Sequence, residues 1–234
     1  MHESFTWFHL FLPEHYTSHH FIHVVIGYFI GVLLLVAACI FFFKMKGIQF
    51  PEVPTEKIGL RNFFEVFGEA IYSLCKSILG EHYGRQFFPL IGTLFLFILV
   101  SNLSGLFPGF IPPTDNVNTT LAIGIFVFLY YNYQGFKENG LRYLAHFAGP
   151  LWYLAPLVFA IEVVSHLVRP VSLALRLRGN MFGDHMVLSI FSDMVPYVVP
   201  VPFLVLGTLV SFIQAFVFCL LTMVYLTLAT AHDH

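Results

Sequence analysis

The chain has 234 residues, 58% of them hydrophobic and only 10% charged, with a formal net charge of −2 and a mean hydropathy of +0.80. A soluble domain carries about 25% charged residues, so this composition excludes a soluble globule and points to an integral membrane protein, and the near-neutral balance argues against a nucleic-acid partner. The cysteines (Cys39, Cys75 and Cys219) are odd in number and scattered through apolar or amphipathic stretches, which suggests neither a disulfide framework nor a metal knuckle.

Residues 1–20 form an N-terminal segment without a basic leader region or a small-residue cleavage site, and read as mature chain. His15, His19, His20 and His23 include i,i+4 pairs of the kind zinc uses. With no third ligand type beside them, a wet interfacial histidine cluster is the better reading. Span one is 21–43, long enough at about 20 apolar residues to cross a bilayer, and Gly27 and Gly31 give it a GxxxG packing signal. In 58–79, Phe63, Phe64, Phe67, Ile71, Leu74 and Ile78 recur at helical spacing between Arg61, Glu65, Glu69 and Lys76. That pattern predicts an amphipathic helix on the membrane surface. Spans two and three are 88–107 and 117–131, joined by a turn with Pro108, Pro112 and Pro113. From 150 to 192 the chain is apolar but studded with polar groups, and its length predicts a long tilted helix that Pro170 kinks. After the proline turn at 195–202, a last long helix covers 203–230. The predicted fold is an all-α polytopic membrane protein in one domain: five membrane-crossing helices plus one amphipathic surface helix, the last two helices long and tilted.

The positive charges select an orientation. Eight of the 11 Lys and Arg residues flank spans (Lys44, Lys46, Lys57, Arg61, Lys76, Arg85, Lys137 and Arg142), and with five crossings all fall on one side. The positive-inside rule then puts the N-terminus outside and the C-terminus in the cytoplasm.

The remaining arginines, Arg169, Arg176 and Arg178, lie inside the fourth apolar stretch. A central intramembrane charge costs about 2.5–3.5 kcal/mol on insertion scales, and arginine cannot escape by deprotonation. At about 100° per residue, Glu162, Ser165, Arg169, Ser172 and Asn180 all fall within about 40° of Arg176. Arg178 and His185 lie on the opposite face, while His166 and Asp184 share a flank at about +80°. Isolated intramembrane Ser or Asn usually serves as helix–helix glue, but a whole stripe built around a permanent cation marks a pathway. On this stripe Arg169, nearer the inner end, can pair with Glu162 at i,i+7 or snorkel to the interface. Gln214, the main polar group in the body of the last helix, is a candidate partner for Arg176. The sequence has no P-loop, no nucleophile elbow and no metal-ligand motif, so the chain is not expected to be an enzyme on its own, and no cofactor or metal is expected.

RPVSLALRLRGNMFGDH (169–185) together with FIQAFVFCLLTMVYLTLA (212–229) closely resembles the a-subunit family of the F-type ATP synthase membrane sector, and 87–122 resembles the second and third membrane helices of the same family. The resemblance implies a bacterial inner-membrane stator. It sits against a ring of c subunits, is held by b-type peripheral-stalk subunits, and opens two offset aqueous half-channels to opposite sides of the bilayer for protons. It gives Arg176 the place of the essential arginine between the half-channels. Glu162 and Ser165 match the inner half-channel, Asn180 and Gln214 match polar positions near the arginine, and Asn116 matches the polar start of the third helix. Where many members carry an acidic residue this chain has His185, and where some pair it with histidine this chain has Gly207. Asp184, Asp115 and a water chain are the candidates to substitute in the outer half-channel. The implied chemistry follows from electrostatics. A ring carboxylate facing lipid is neutral, and beside the Arg176 cation it releases its proton. The rival reading is a self-contained secondary transporter or channel with an intramembrane arginine site, which predicts internal hydropathy repeats that the sequence lacks.

Overall fold

The computed structural model describes residues 22–46, 60–107, 110–140, 143, 155–194 and 200–230. The N-terminal segment with His15, His19 and His20, the link at 47–59, Arg142 and the start of the proline turn lie outside the described residues. All regular structure among the described residues is helical: α1 Ile22–Lys46, α2 Leu60–Ser104, α3 Val117–Asn139, α4 Ala155–Met194 and α5 Pro200–Thr230, with a 3-10 turn at Pro113–Asp115. Four of these helices (α1, α2, α4 and α5) are long and apolar enough to cross a membrane.

The fifth helix, α3, is 23 residues long, about 35 Å at 1.5 Å per residue, and extends past the expected end at 131. Its hydropathy is diluted because its polar groups are spent inward. Thr120, Gly124, Val127, Tyr131, Gln134 and Gly135 are buried, while Ile125, Phe126, Leu129, Tyr133 and Phe136 are exposed.

The amphipathic segment and span two join into α2, broken at Gly80 (φ 80°, ψ 173°). That positive φ suits glycine, which has no Cβ to clash. The chain reverses there. A Cβ on Gly84 would lie 3.0 Å from Cα of Lys76, Tyr72 meets Phe88 with ring centroids 5.7 Å apart, and Phe67 meets Phe95 at 5.3 Å. One number falls as the other rises, so the two arms are antiparallel. The apolar stripe of the expected amphipathic helix is covered by protein: Ile71, Cys75 and Leu79 are buried in the core, because the hairpin at Gly80 folds their stripe onto the second arm and α5. Glu69, Ser73 and Lys76 remain exposed on the other side.

Phe87, Ile91, Phe95 and Ile98 of α2, Val127 and Tyr131 of α3, Leu177 of α4, and Phe218, Met223 and Leu226 of α5 are almost wholly buried and form one core. Helix α1 packs on the side through Ile22, Ile26 and Ile30 against Phe97, Val100 and Ile111. Its outward Tyr28, Leu35, Ile40 and Phe43 are exposed, an apolar surface of the kind lipid covers.

The two ends of the bundle differ. At one end Lys76 meets Glu81 at 2.6 Å, Tyr83 donates to Glu138 at 3.3 Å, and Asn139 donates to the Ala229 carbonyl at 3.1 Å. At the other, the Asn116 amide lies 3.3 Å from His23 Nδ1, Thr114 donates to Asn102 Oδ1 at 2.8 Å, and Phe191 stacks on Phe203 at 4.6 Å. Lys76, Arg85 and Lys137 therefore sit at or near the first end.

Candidate functional site

Helix α4 carries the predicted stripe and continues through Pro170. Glu162, Ser165, Arg169, Ser172, Arg176 and Asn180 are all half-buried or exposed, whereas Leu173, Ala174, Leu177 and Met181 between them are buried. The stripe thus faces away from the core of its own chain, as the 3.6-residue period requires. Helix α3 holds α4 in place by close backbone approach: a Cβ on Gly124 would lie 2.7 Å from the Pro170 carbonyl oxygen. Small residues at such crossings let membrane helices approach closely.

The three arginines have different surroundings. Arg169 lies 3.6 Å from Glu162, the expected i,i+7 pair, and its guanidinium stands 5.2 Å over the Tyr225 ring. Arg178, on the opposite face, donates through Nε to the Asp115 carbonyl at 3.3 Å and lies 5.8 Å from the Phe182 ring centroid, which ties α4 to the 3-10 turn. Arg176 is exposed and has neither ion pair nor hydrogen bond among the described residues. Its candidate partner is otherwise engaged: Gln214, nearly buried on α5, makes an interhelical bond instead, accepting from Asn180 Nδ2 at 2.6 Å. The cause is simple. Asn180 is one turn along the same stripe, and its short amide reaches Gln214, which leaves the guanidinium pointing outward.

Below Arg176, toward the charged end, lies a polar network that helical spacing alone did not reveal. Asn132 donates from Nδ2 to the Phe128 carbonyl at 2.7 Å, which fixes its Oδ1 as acceptor. That oxygen takes the Tyr143 hydroxyl at 3.1 Å and faces His166 Nε2 at 2.8 Å, so His166 carries its proton on Nε2. The Tyr131 hydroxyl is 3.4 Å from the same nitrogen. The available sequence signal was Asn132, an amide inside an aromatic run. Ser165 lies exposed one turn from Glu162.

Above Arg176, Asn116 caps α3 by accepting from the Asn118 amide at 2.9 Å, and His185 packs beside Gly105, where a Cβ would sit 2.8 Å from its Nε2. His185 and Asp184 both line a small cavity with Asn102, Gly105, Leu106, Phe203 and Gly207, of about 10 Å³, close to the room one water needs. An open cleft of about 360 Å³ adjoins it along α4 and α5, lined by Gly179, Asn180, Gly183, Asp184, Phe203 and Val210 among others. Buried oxygens or nitrogens of Ser101, Asn102, Asp115, Asp184 and Ser211 have no hydrogen-bond partner among the described residues. Buried polar atoms of this kind are normally satisfied by ordered water. The structure therefore brings His185, Asp184 and Asn180 around adjoining cavities, with Gln214 bonded to Asn180. It leaves Glu162 with Arg169 nearer the other end and places Asp115 and Asn116 in the turn behind Arg178.

Comparison with known proteins agrees with this architecture. The sequence profile of the family described as ATP synthase A chain matches residues 24–227. The chain is 53% identical to ATP synthase subunit a of Trichlorobacter lovleyi over 211 residues, 89% of this chain and 88% of that one. It is also 53% identical to the protein of the same name from Bdellovibrio bacteriovorus over 183 residues, 78% and 80% of the two chains. The subunit a of Geobacter sulfurreducens is 53% identical over 182 residues, covering 77% and 78%. Matched by the family profile over 24–227, a range that includes the whole arginine-bearing fourth helix, the chain belongs to the ATP synthase A chain family.

Proposed function

We propose that this chain is the stator subunit a of an F-type ATP synthase in a bacterial inner membrane, and that Arg176 separates two offset aqueous half-channels that carry protons to and from carboxylates of a c-subunit ring. The observation that carries the reading is the state of Arg176: of three arginines on α4 it is the one exposed on the outward face and left unpaired among the described residues. A cation in that position attracts a passing carboxylate and favours its charged form, so the ring carboxylate gives up its proton there and moves on only after reprotonation. The same fixed charge opposes a proton crossing directly, and arginine keeps it because its own proton is not lost. Membrane potential supplies about 2.3 kcal/mol per charge per 100 mV to drive the cycle.

In this reading Glu162 and Ser165 line the inner half-channel, Asn180 and Gln214 sit beside the arginine, and Asn116 and His185 belong to the outer route, with Asp115 and Asp184 as its acidic candidates. The whole chain is one membrane domain of five crossings, and the 60–79 arm of α2 is an amphipathic accessory rather than a crossing. The N-terminus is outside and the C-terminus cytoplasmic, since Lys76, Arg85 and Lys137 mark the inner side. The subunit is non-catalytic, contacts the c-ring and b-type peripheral-stalk subunits, and needs no cofactor. Membership of the family weighs against a self-contained transporter. The test is Arg176→Ala in the complete ATP synthase reconstituted into vesicles. ATP-driven proton uptake is expected to vanish, and coupled pumping at the unmodified rate would refute the assignment.

A further inference from the structure

We propose that Glu162 and Arg169 act in the inner half-channel as a neutral pair: Arg169 is a fixed cation standing in the proton path, and Glu162 is there to cancel it. The inference rests on the stator reading above and deepens it, giving Glu162 the task of counter-charge rather than proton carrier. Arg169 lies seven residues from Glu162 and seven from Arg176 on one face of α4, about 10 Å along the helix from each. A proton moving along that face between Arg176 and the inner end passes it.

The charge of Arg169 is held where it stands. Arginine does not shed its proton. Its guanidinium rests 5.2 Å over the Tyr225 ring, a favourable seat for a cation, and behind it runs a continuous aromatic wall. Tyr225 meets Tyr131 with ring centroids 5.8 Å apart, Tyr131 meets His166 at 5.3 Å, and His166 meets Phe128 at 5.2 Å. The bond of 2.8 Å between His166 and Asn132 locks this wall, and Tyr131 and His166 are buried. The guanidinium therefore has no room to withdraw into the core. Side chains on a helix lean toward its N-terminus, here the inner end, so Arg169 reaches back toward Glu162.

The pair has the geometry of charge cancellation rather than of a structural clamp. Its approach of 3.6 Å is longer than the 2.7–2.9 Å or so of a charge-assisted hydrogen bond. The two side chains are 22% and 35% exposed for Arg169 and Glu162, partly out of water, where an uncancelled charge is felt more strongly than in bulk solvent. Among the described residues Glu162 is the one carboxylate paired with Arg169. Alone, the cation repels each proton on the stripe; paired, the site is neutral and passable.

The experiment uses the complete complex in vesicles with the ATP-hydrolysing side facing the medium, so that added salt reaches the inner mouth. ATP-driven proton uptake and potential-driven proton flow are read, and the amount of subunit a in the complex is measured alongside. Glu162→Gln leaves Arg169 uncancelled and is expected to lower both rates roughly ten-fold or more, the effect of one unit charge at a partly exposed site. Relative to the unmodified complex, that loss is expected to shrink at least about two-fold when salt is raised from about 0.01 to 0.1 M, which shortens the Debye length from about 30 to 10 Å. A purely structural role of the pair does not respond to salt in this way. Glu162→Gln/Arg169→Gln removes both charges and is expected to bring both rates back to within about three-fold of the unmodified complex. A double variant that assembles and flows no better than Glu162→Gln would overturn the proposal and make Glu162 a proton carrier. Glu162→Gln flowing at more than half the unmodified rate would also overturn it. If Glu162→Gln leaves too little subunit to measure, the double variant decides: near-normal flow upholds the pair, and a dead complex or failed assembly overturns it. Arg176→Ala separates the two levels: if it pumps normally the stator reading fails, whereas a dead Arg176→Ala beside an unrescued double variant removes only the neutral pair.

Discussion

Gly124→Ala perturbs the bundle where α3 crosses α4. The added Cβ would sit 2.7 Å from the Pro170 oxygen, a backbone atom that cannot rotate aside. Restoring ordinary contact at about 3.4 Å means moving the helices roughly 0.7 Å apart, and overpacking of this kind costs about 1–3 kcal/mol. Pro170 is six residues from Arg176, about 9 Å along the helix, so the shift is carried to the arginine. Misplacement of about 1 Å at a reacting centre can cost on the order of 100-fold in rate. The expected result is a lower melting temperature of the purified complex together with a drop in coupled pumping, larger for Gly124→Val. Gly92→Ala is the control, because nothing lies within 4 Å of the Cβ it would add, and it should leave both readings unchanged. Unaltered melting and pumping in Gly124→Val would refute the claim that this crossing sets the position of α4.

Other outcomes follow from individual contacts. Gly80→Ala places a Cβ at φ 80°, ψ 173°, a backbone region essentially confined to glycine, and should destabilise the α2 hairpin by about 1–3 kcal/mol, read as a lower melting temperature. A double-mutant cycle with Asn180→Leu and Gln214→Leu should return a coupling of about 0.6 kcal/mol, with roughly 1.7 as a ceiling for membrane hydrogen bonds; zero coupling in thermal unfolding would mean that the 2.6 Å bond does not form. Arg178→Leu removes the donor to the Asp115 carbonyl and should speed hydrogen exchange at 110–116 while leaving 60–79 unchanged.

Periodicity made the α4 stripe legible, because every member of it needs only the 3.6-residue repeat to share a face. The Glu162–Arg169 pair followed from the same repeat. Partner identity across helices did not follow: Gln214 was as reachable from Arg176 as from Asn180 in sequence terms, and only the packing of α4 on α5 decides between them. The amphipathic segment was recognisable as such, but an apolar stripe does not say whether lipid or protein covers it. The answer lay in Gly80, whose positive φ turns the stripe onto the core. Helix α3 shows the reverse limit. Its Asn and Gln residues shorten it in an apolar reading, yet they point inward, where Asn132 organises Tyr143 and His166. Asp184 was legible as a flank acid and an outer-route candidate, whereas the cavity it lines with Gly207 depends on how α4 packs on α5.

The central claim is that Arg176 couples proton movement to the ring. It is tested most directly by measuring ATP hydrolysis and proton uptake together in vesicles carrying the complete complex with Arg176→Lys and Arg176→Ala. The account predicts that proton uptake per ATP collapses in Arg176→Ala and is impaired in Arg176→Lys, whose ammonium can lose its charge in a dry site. An unchanged ratio of protons to ATP in Arg176→Ala would contradict it.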